Sequence, residues 1–186
     1  MIPIVLDSTK ANIAVMGEGD RALARLRLLR RHIETPIAVF APKPSEALAA
    51  EAGAALVRRW PDAKDFAGLH VVFAGDLTTD QAMRFAQLAK ERKVLFNAED
   101  MTPQCAFHMP ATLRRGRLLV TVSTDGAAPA LARRLAAYLG QLFGPEWADH
   151  VAELGAARKT WRSEGHDGFS ISKKTDALID AKGWLQ

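Results

Sequence analysis

Six consecutive residues could do the first piece of chemistry. Gly17-Glu18-Gly19-Asp20-Arg21-Ala22 fits the pattern G-x-G-x-x-A. The run follows an apolar stretch, Asn12-Ile13-Ala14-Val15-Met16, and opens a segment with helical spacing, which is the context a dinucleotide fingerprint requires. The first glycine permits a tight turn. The second has no Cβ, so a pyrophosphate can approach the backbone, and the small Ala22 lets helix and strand pack closely. A helix N-terminus then offers free N–H groups and the positive end of its dipole. The same pattern also suits an ordinary glycine-rich turn that binds nothing. The acid that usually holds the ribose should lie about 20 residues further on. That region reads Phe40-Ala41-Pro42-Lys43, with no acid. Lys43 suits a 2′-phosphate or a solvated turn, which leaves both NAD and NADP open.

The elements needed to position this turn are readable around it. Strands are expected at 12–16, 36–40, 54–57, 69–73 and 94–96, and helices at 20–33, 45–52 and from 79 or 80 to about 91. This alternation implies a Rossmann-type parallel sheet with helices on both faces and right-handed crossovers. After Pro110 the pattern changes. Residues 117–123 read as one strand, 127–142 as an Ala- and Leu-rich helix, and 146–163 as an amphipathic helix. The tail from Gly165 is rich in Ser, Lys and Asp, with a short helix expected at 174–182. Boundaries near 111 and 144 give three expected parts: a dinucleotide-binding domain at 1–111, a strand-turn-helix segment at 112–144, and a helical segment at 145–186. The fold class is α/β.

Composition narrows the function classes. The chain has 186 residues, 48% hydrophobic and 25% charged, which suits a folded domain with an appendage rather than a disordered chain. No apolar run approaches the ~20 residues of a membrane span. No secretory leader is read at Met1–Asp7, so a cytoplasmic location is the default. One cysteine, Cys105, rules out an internal disulfide framework and a Cys-cluster metal site, and the histidines show no metal spacing. The net charge of +4 is concentrated: 21–34 holds Arg21, Arg25, Arg27, Arg30 and Arg31 against Glu34, and 111–134 holds Arg114, Arg115, Arg117, Arg133 and Arg134 against Asp125. Such local excesses point to an anionic partner. Nucleic acid is disfavoured, because aromatics make up only 7% of the chain and no helix-turn-helix stands out.

Several dispersed motifs carry a resemblance. They are Ile2-Pro3-Ile4-Val5-Leu6-Asp7, the glycine turn itself, Val39-Phe40-Ala41-Pro42, Val72-Phe73-Ala74-Gly75-Asp76 and Phe96-Asn97-Ala98-Glu99-Asp100. To these are added Phe107-His108-Met109-Pro110-Ala111 and the long run Val122-Ser123-Thr124-Asp125-Gly126-Ala127-Ala128-Pro129-Ala130-Leu131-Ala132-Arg133-Arg134-Leu135. Over roughly residues 1–160 the chain resembles the precorrin-2 dehydrogenase and sirohydrochlorin ferrochelatase family, the module found in sirohaem synthases.

The resemblance implies a Rossmann domain, a small dimerisation segment and a C-terminal helical segment. It also implies a homodimer and NAD⁺-dependent oxidation of precorrin-2 to sirohydrochlorin. Some members also insert Fe²⁺, which would be a substrate here and not a resident metal. Asp100 matches the family's key aspartate, a candidate proton acceptor, although a turn-forming role also suits it. Met101 follows it where a second acid is common, and Glu99 precedes it instead. The resemblance places Gly17, Gly19, Asp20, Arg21, Pro42, Lys43 and Asn97 at the cofactor. It makes Ser123, Thr124, Arg114, Arg117 and Arg133 candidates for the substrate, a tetrapyrrole polycarboxylate that arginine forks would suit. The competing reading is a non-catalytic dinucleotide- or tetrapyrrole-binding regulator or carrier on the same scaffold.

Overall fold

Short apolar runs without polar alternation suit strands covered on both faces, and that is how they lie. The computed structural model describes residues 2–185, which divide into two compact units between His108 and Met109. In the first unit, β1 (Ile13–Met16), β2 (Ala38–Phe40), β3 (Leu56–Val57), β4 (Val71–Ala74) and β5 (Leu95–Ala98) make one parallel sheet. Its strand order is β3-β2-β1-β4-β5. Helices α1 (Asp20–Arg30), α2 (Glu46–Ala52), α3 (Ala63–Ala67) and α4 (Thr79–Glu91) make the connections. The α/β class and its Rossmann-type parallel sheet are therefore observed.

The period of two along each strand divides the core. Ile13, Val15, Val39, Val71 and Phe73 face one way and meet Leu23, Leu26 and Leu29 of α1 and Leu48 of α2. Ala14, Met16, Phe40, Val72 and Phe96 face the other way and meet Phe66 of α3 and Phe85 of α4. Phe66 and Phe85 are fully buried and stacked, with centroids 6.4 Å apart. Each contributes about 1.5–3 kcal/mol by leaving water. Helix starts are set by side chains. The Ser45 Oγ accepts from the Leu48 N–H at α2, and Thr78 and Gln81 form a capping box at α4.

Strand order reverses across β1 and β4, since β1 leads on to β2 on one side and lies against β4 on the other. Ligands of open α/β sheets bind outside the carboxyl ends of the strands at such a switch point. The fold thus brings the turns after β1, β2, β4 and β5 to one edge.

The second unit opens with a hairpin of β6 (Ala111–Arg115) and β7 (Leu118–Val122), turned at Gly116-Arg117 with Gly116 at φ 54°. Helices α5 (Pro129–Leu142), α6 (Trp147–Ser163) and α7 (Gly168–Lys182) follow. Ala132 and Ala136 of α5 are buried, as is Leu113 of β6. The α5 terminus is capped by Arg115, which donates to the carbonyls of Phe143 (2.9 Å) and Gly140 (3.2 Å).

Three elements differ from the sequence reading. Helix α3 lies between the strands expected at 54–57 and 69–73, where no helix is read; its capping box of Asp62 and Asp65 starts it. Strand β6 was not expected, because its adjacent Arg114 and Arg115 masked a half-buried alternation. The tail is one helix over 168–182, not a short one at 174–182. Asp167 supplies its N-cap to the Ser170 N–H at 2.8 Å, and Ile171 is buried as its anchor.

Ion pairs on the first unit give its stability a pH dependence. Hydrogen bonds from Arg27 and then Arg30 hold the Glu51 carboxyl below its usual range, and the Arg59 fork does the same for Asp65. Carboxyls lowered in the folded state stabilise it above the unfolded-chain values near pH ~4, and that contribution is lost as pH falls through the folded values. Thermal melts should therefore be flat near neutrality and fall on acidification below about pH 4. Glu51→Gln should shrink that fall, and an identical acid profile in the variant would contradict the assignment.

Candidate functional site

The turn after β1 is closed by contacts only glycine allows. Gly17 sits at φ 141°, and a Cβ there would lie 2.2 Å from the carbonyl oxygen of Gly75 and 2.8 Å from the Ala22 Cβ. Gly75, after β4, is equally confined, since its Cβ would lie 2.6 Å from the Ala22 N. The two turns are thus interlocked backbone to backbone. Asp76 completes the lock: one carboxylate oxygen accepts from the N–H groups of Gly19 and Ala22, both at 3.0 Å. Asp76 adopts φ 56°, a left-handed conformation that Asp tolerates better than most residues.

The turn after β2 is joined to the same loop. The Gly17 N–H donates to the Phe40 carbonyl (3.1 Å) and the Ser45 N–H to the Glu18 carbonyl (2.7 Å). The Glu18 carboxylate accepts the Lys43 N–H at 2.7 Å. The N–H groups of Glu18, Asp20 and Arg21 find no acceptor among the described residues. A loop held this firmly, with adjacent N–H groups left over at a helix start, fits the pyrophosphate of a dinucleotide.

Asp100 follows β5 at φ 60°. Its side chain is 72% exposed, and one oxygen lies 3.0 Å from the Arg21 guanidinium. Glu99 lies 3.8 Å from Arg25, whose side chain is largely buried over the Phe73 ring. Arg21 therefore joins the glycine loop to the carboxylate proposed for proton transfer.

The family described as "Putative NAD(P)-binding" matches residues 4–111, more than half of the chain. The chain belongs to this family. It is also 30% identical to the siroheme synthase of Pseudoalteromonas atlantica over 176 residues, covering 92% of this chain and 37% of that protein. To the siroheme synthase of Gluconobacter oxydans it is 32% identical over 189 residues, covering 97% of this chain and 40% of that one. The chain spans about two fifths of the length of these relatives. Among solved structures it is similar to SirC, precorrin-2 dehydrogenase, with a TM-score of 0.73, 24% identity and coverage of 100% and 93%. That likeness shows the fold. The resemblance drawn from the sequence motifs is met by these matches.

Within the NAD(P)-binding unit, Gly17, Gly19, Pro42, Lys43 and Asp100 lie on turns at the carboxyl edge of the sheet, and Asp20 and Arg21 open α1 at the same edge. Asn97 is different. It is 7% exposed, and its amide donates to the Phe107 carbonyl at 2.9 Å, so its side chain secures the loop beneath Asp100. The Cys105 thiol serves the same loop, donating to the carbonyl of Ala98 and accepting its N–H.

In the second unit the Ser123 hydroxyl accepts from the Asp125 N–H (3.2 Å) and the Thr124 hydroxyl from the Ala128 N–H (3.0 Å), holding the turn before α5. Arg114, Arg117 and Arg133 form no ion pair among the described residues. Arg133 lines a recess between β6 and α5 together with Arg115.

Four of the five arginines at 21–34 meet acids of the first unit. In space Arg21 meets Asp100, Arg25 meets Glu99, and both Arg27 and Arg30 meet Glu51. A sequence window cannot see acids that arrive from other turns. Asp76 and the Glu18 carboxylate were not singled out either. The available signal was Gly75-Asp76 directly after an apolar strand, a pair typical of a left-handed turn.

The interlock sets an expectation for stability. Gly17→Ala should cost about 3 kcal/mol or more, because its Cβ meets backbone and not a yielding side chain. Asp76→Ala should cost about 1 kcal/mol, the worth of a charged acceptor at a helix start. Urea denaturation measures both, and a Gly17→Ala variant as stable as the parent would refute the interlock.

Proposed function

We propose that this chain is an NAD⁺-dependent dehydrogenase that oxidises precorrin-2 to sirohydrochlorin, acting as a homodimer. The observation that carries the reading is the Arg21–Asp100 pair, which ties an exposed carboxylate to a glycine turn suited to a dinucleotide. The NAD(P)-binding family, the siroheme synthase relatives and the named fold relative support it.

In this reading Gly17 and Gly19 let the pyrophosphate approach the backbone, where the N–H groups of Asp20 and Arg21 receive it. Pro42 and Lys43 border the adenosine side. Asn97 acts from below by holding the 99–107 loop. Oxidation removes two electrons and two hydrogens from the macrocycle, one as hydride and one as a proton. The nicotinamide ring supplies the hydride acceptor when bound. Asp100 accepts the proton at a carboxylate oxygen, and Arg21 fixes that carboxylate's position. Exposure of Asp100 leaves it open to a large planar substrate.

The substrate's carboxylates suit Arg114, Arg117 and Arg133, which form no ion pair among the described residues, whereas Arg21, Arg25, Arg27 and Arg30 of α1 do. Ser123 and Thr124 hold the turn that presents α5. The dimer is supported by an apolar stripe on that helix: Leu131, Leu135, Tyr138 and Leu142 are exposed at helical spacing, on a different face from the buried Ala132 and Ala136. Residues 112–144 are accordingly the dimerisation segment of this proposal, between a dinucleotide domain at 1–111 and the helical remainder.

Anaerobic incubation with precorrin-2 and NAD⁺ tests the reading through NADH absorbance and the sirohydrochlorin spectrum. Turnover is expected, and Asp100→Asn should lower kcat by about 10²- to 10⁴-fold, the usual share of a general base, while leaving the NAD⁺ dissociation constant unchanged. Tight NAD⁺ binding without any turnover by the parent protein would instead favour the non-catalytic regulator or carrier.

A further inference from the structure

The acid expected at the end of β2 is missing from the sequence, yet a carboxylate reaches that place. It comes from the glycine turn. Glu18 stands between the two glycines, is half-buried, and extends to the turn after β2, where one of its oxygens accepts the Lys43 N–H at 2.7 Å. Its own carbonyl accepts the Ser45 N–H at 2.7 Å, so backbone and side chain are both anchored to the β2–α2 connection. The second carboxylate oxygen has no partner among the described residues.

We infer that Glu18 determines cofactor choice: it replaces the missing ribose acid and selects NAD⁺ over NADP⁺. The inference rests on the dinucleotide reading of this loop and deepens it. In parallel α/β folds the adenosine ribose lies at the end of the second strand, where a carboxylate accepts from its hydroxyls. Glu18 offers one free oxygen for that purpose. A 2′-phosphate at the same place would meet the carboxylate directly, and would find the Lys43 N–H already taken by an anion.

Lys43 itself does not reverse this balance. Its side chain is exposed and no hydrogen bond fixes its ammonium among the described residues, whereas Glu18 is a half-buried residue whose carboxylate is fixed at the strand end by a 2.7 Å hydrogen bond. Glu46, in the first turn of α2, adds a further negative charge to the same connection. The sequence alone leaves Lys43 as the sole charged candidate at the strand end. The structure adds Glu18, which a search about 20 residues downstream of the glycines cannot find.

Isothermal titration of the full chain with NAD⁺ and with NADP⁺, at one ionic strength, tests this. The parent protein should bind NAD⁺ at least about tenfold more tightly, the scale of an unfavourable like-charge contact. Glu18→Gln keeps an oxygen for the Lys43 N–H and removes the charge. It should narrow the preference about tenfold, mainly through tighter NADP⁺ binding. Glu18→Ala should narrow it too, with weaker NAD⁺ binding. A parent protein that prefers NADP⁺, or variants that bind NAD⁺ with the parental preference intact, would overturn the inference while leaving the dinucleotide reading in place. Binding of neither nucleotide by the parent, with its circular dichroism that of a folded protein, would overturn the dinucleotide reading itself.

Discussion

Two backbone turns touch where no side chain could fit between them. The Cα of Gly17 faces the Gly75 carbonyl, and Gly75 faces the Ala22 N–H, so the ends of β1 and β4 are held in direct contact. Everything at the carboxyl edge of the sheet is arranged around that contact. It sets where α1 begins, and therefore where the N–H groups of Asp20 and Arg21 point. The Asp76 carboxylate fastens the remaining freedom by taking the N–H groups of Gly19 and Ala22. A pre-formed loop of this kind loses little conformational entropy on binding, which is the usual advantage of preorganisation.

Around this lock the charges are divided by use. The arginines of α1 are matched by Glu51, Glu99 and Asp100 from other parts of the first unit, so they build structure and position a carboxylate. Arg114, Arg117 and Arg133 of the second unit form no ion pair among the described residues.

The parallel sheet was legible because its strands are apolar runs buried on both faces and α2 has a clear cap at Ser45. The glycine turn was legible because conformational freedom leaves a signature in residue type. Strand β6 was hidden by Arg114 and Arg115, of which the second turns inward to cap α5. The extent of α7 was hidden because Ser, Lys and Asp dominate its exposed face, and Ile171 alone is buried. Within the site, Asp100 stood out only through resemblance, since an aspartate after a strand is more often a turn former. Asp76 and Glu18 were missed because their roles depend on contacts with distant segments. Asn97, which the resemblance places at the cofactor, is buried, and its amide is turned to the Phe107 carbonyl by a contact that residue type alone does not reveal.

In the proposed site the glycine loop receives a dinucleotide through backbone N–H groups that find no acceptor among the described residues. An amide-resolved NMR titration of the full chain with NAD⁺ reads this directly. Saturable shifts should centre on the amides of Asp20 and Arg21 and spread to Lys43 and Asp76. Absence of shifts at these amides at saturating nucleotide, or shifts confined to residues 109–185, would contradict it.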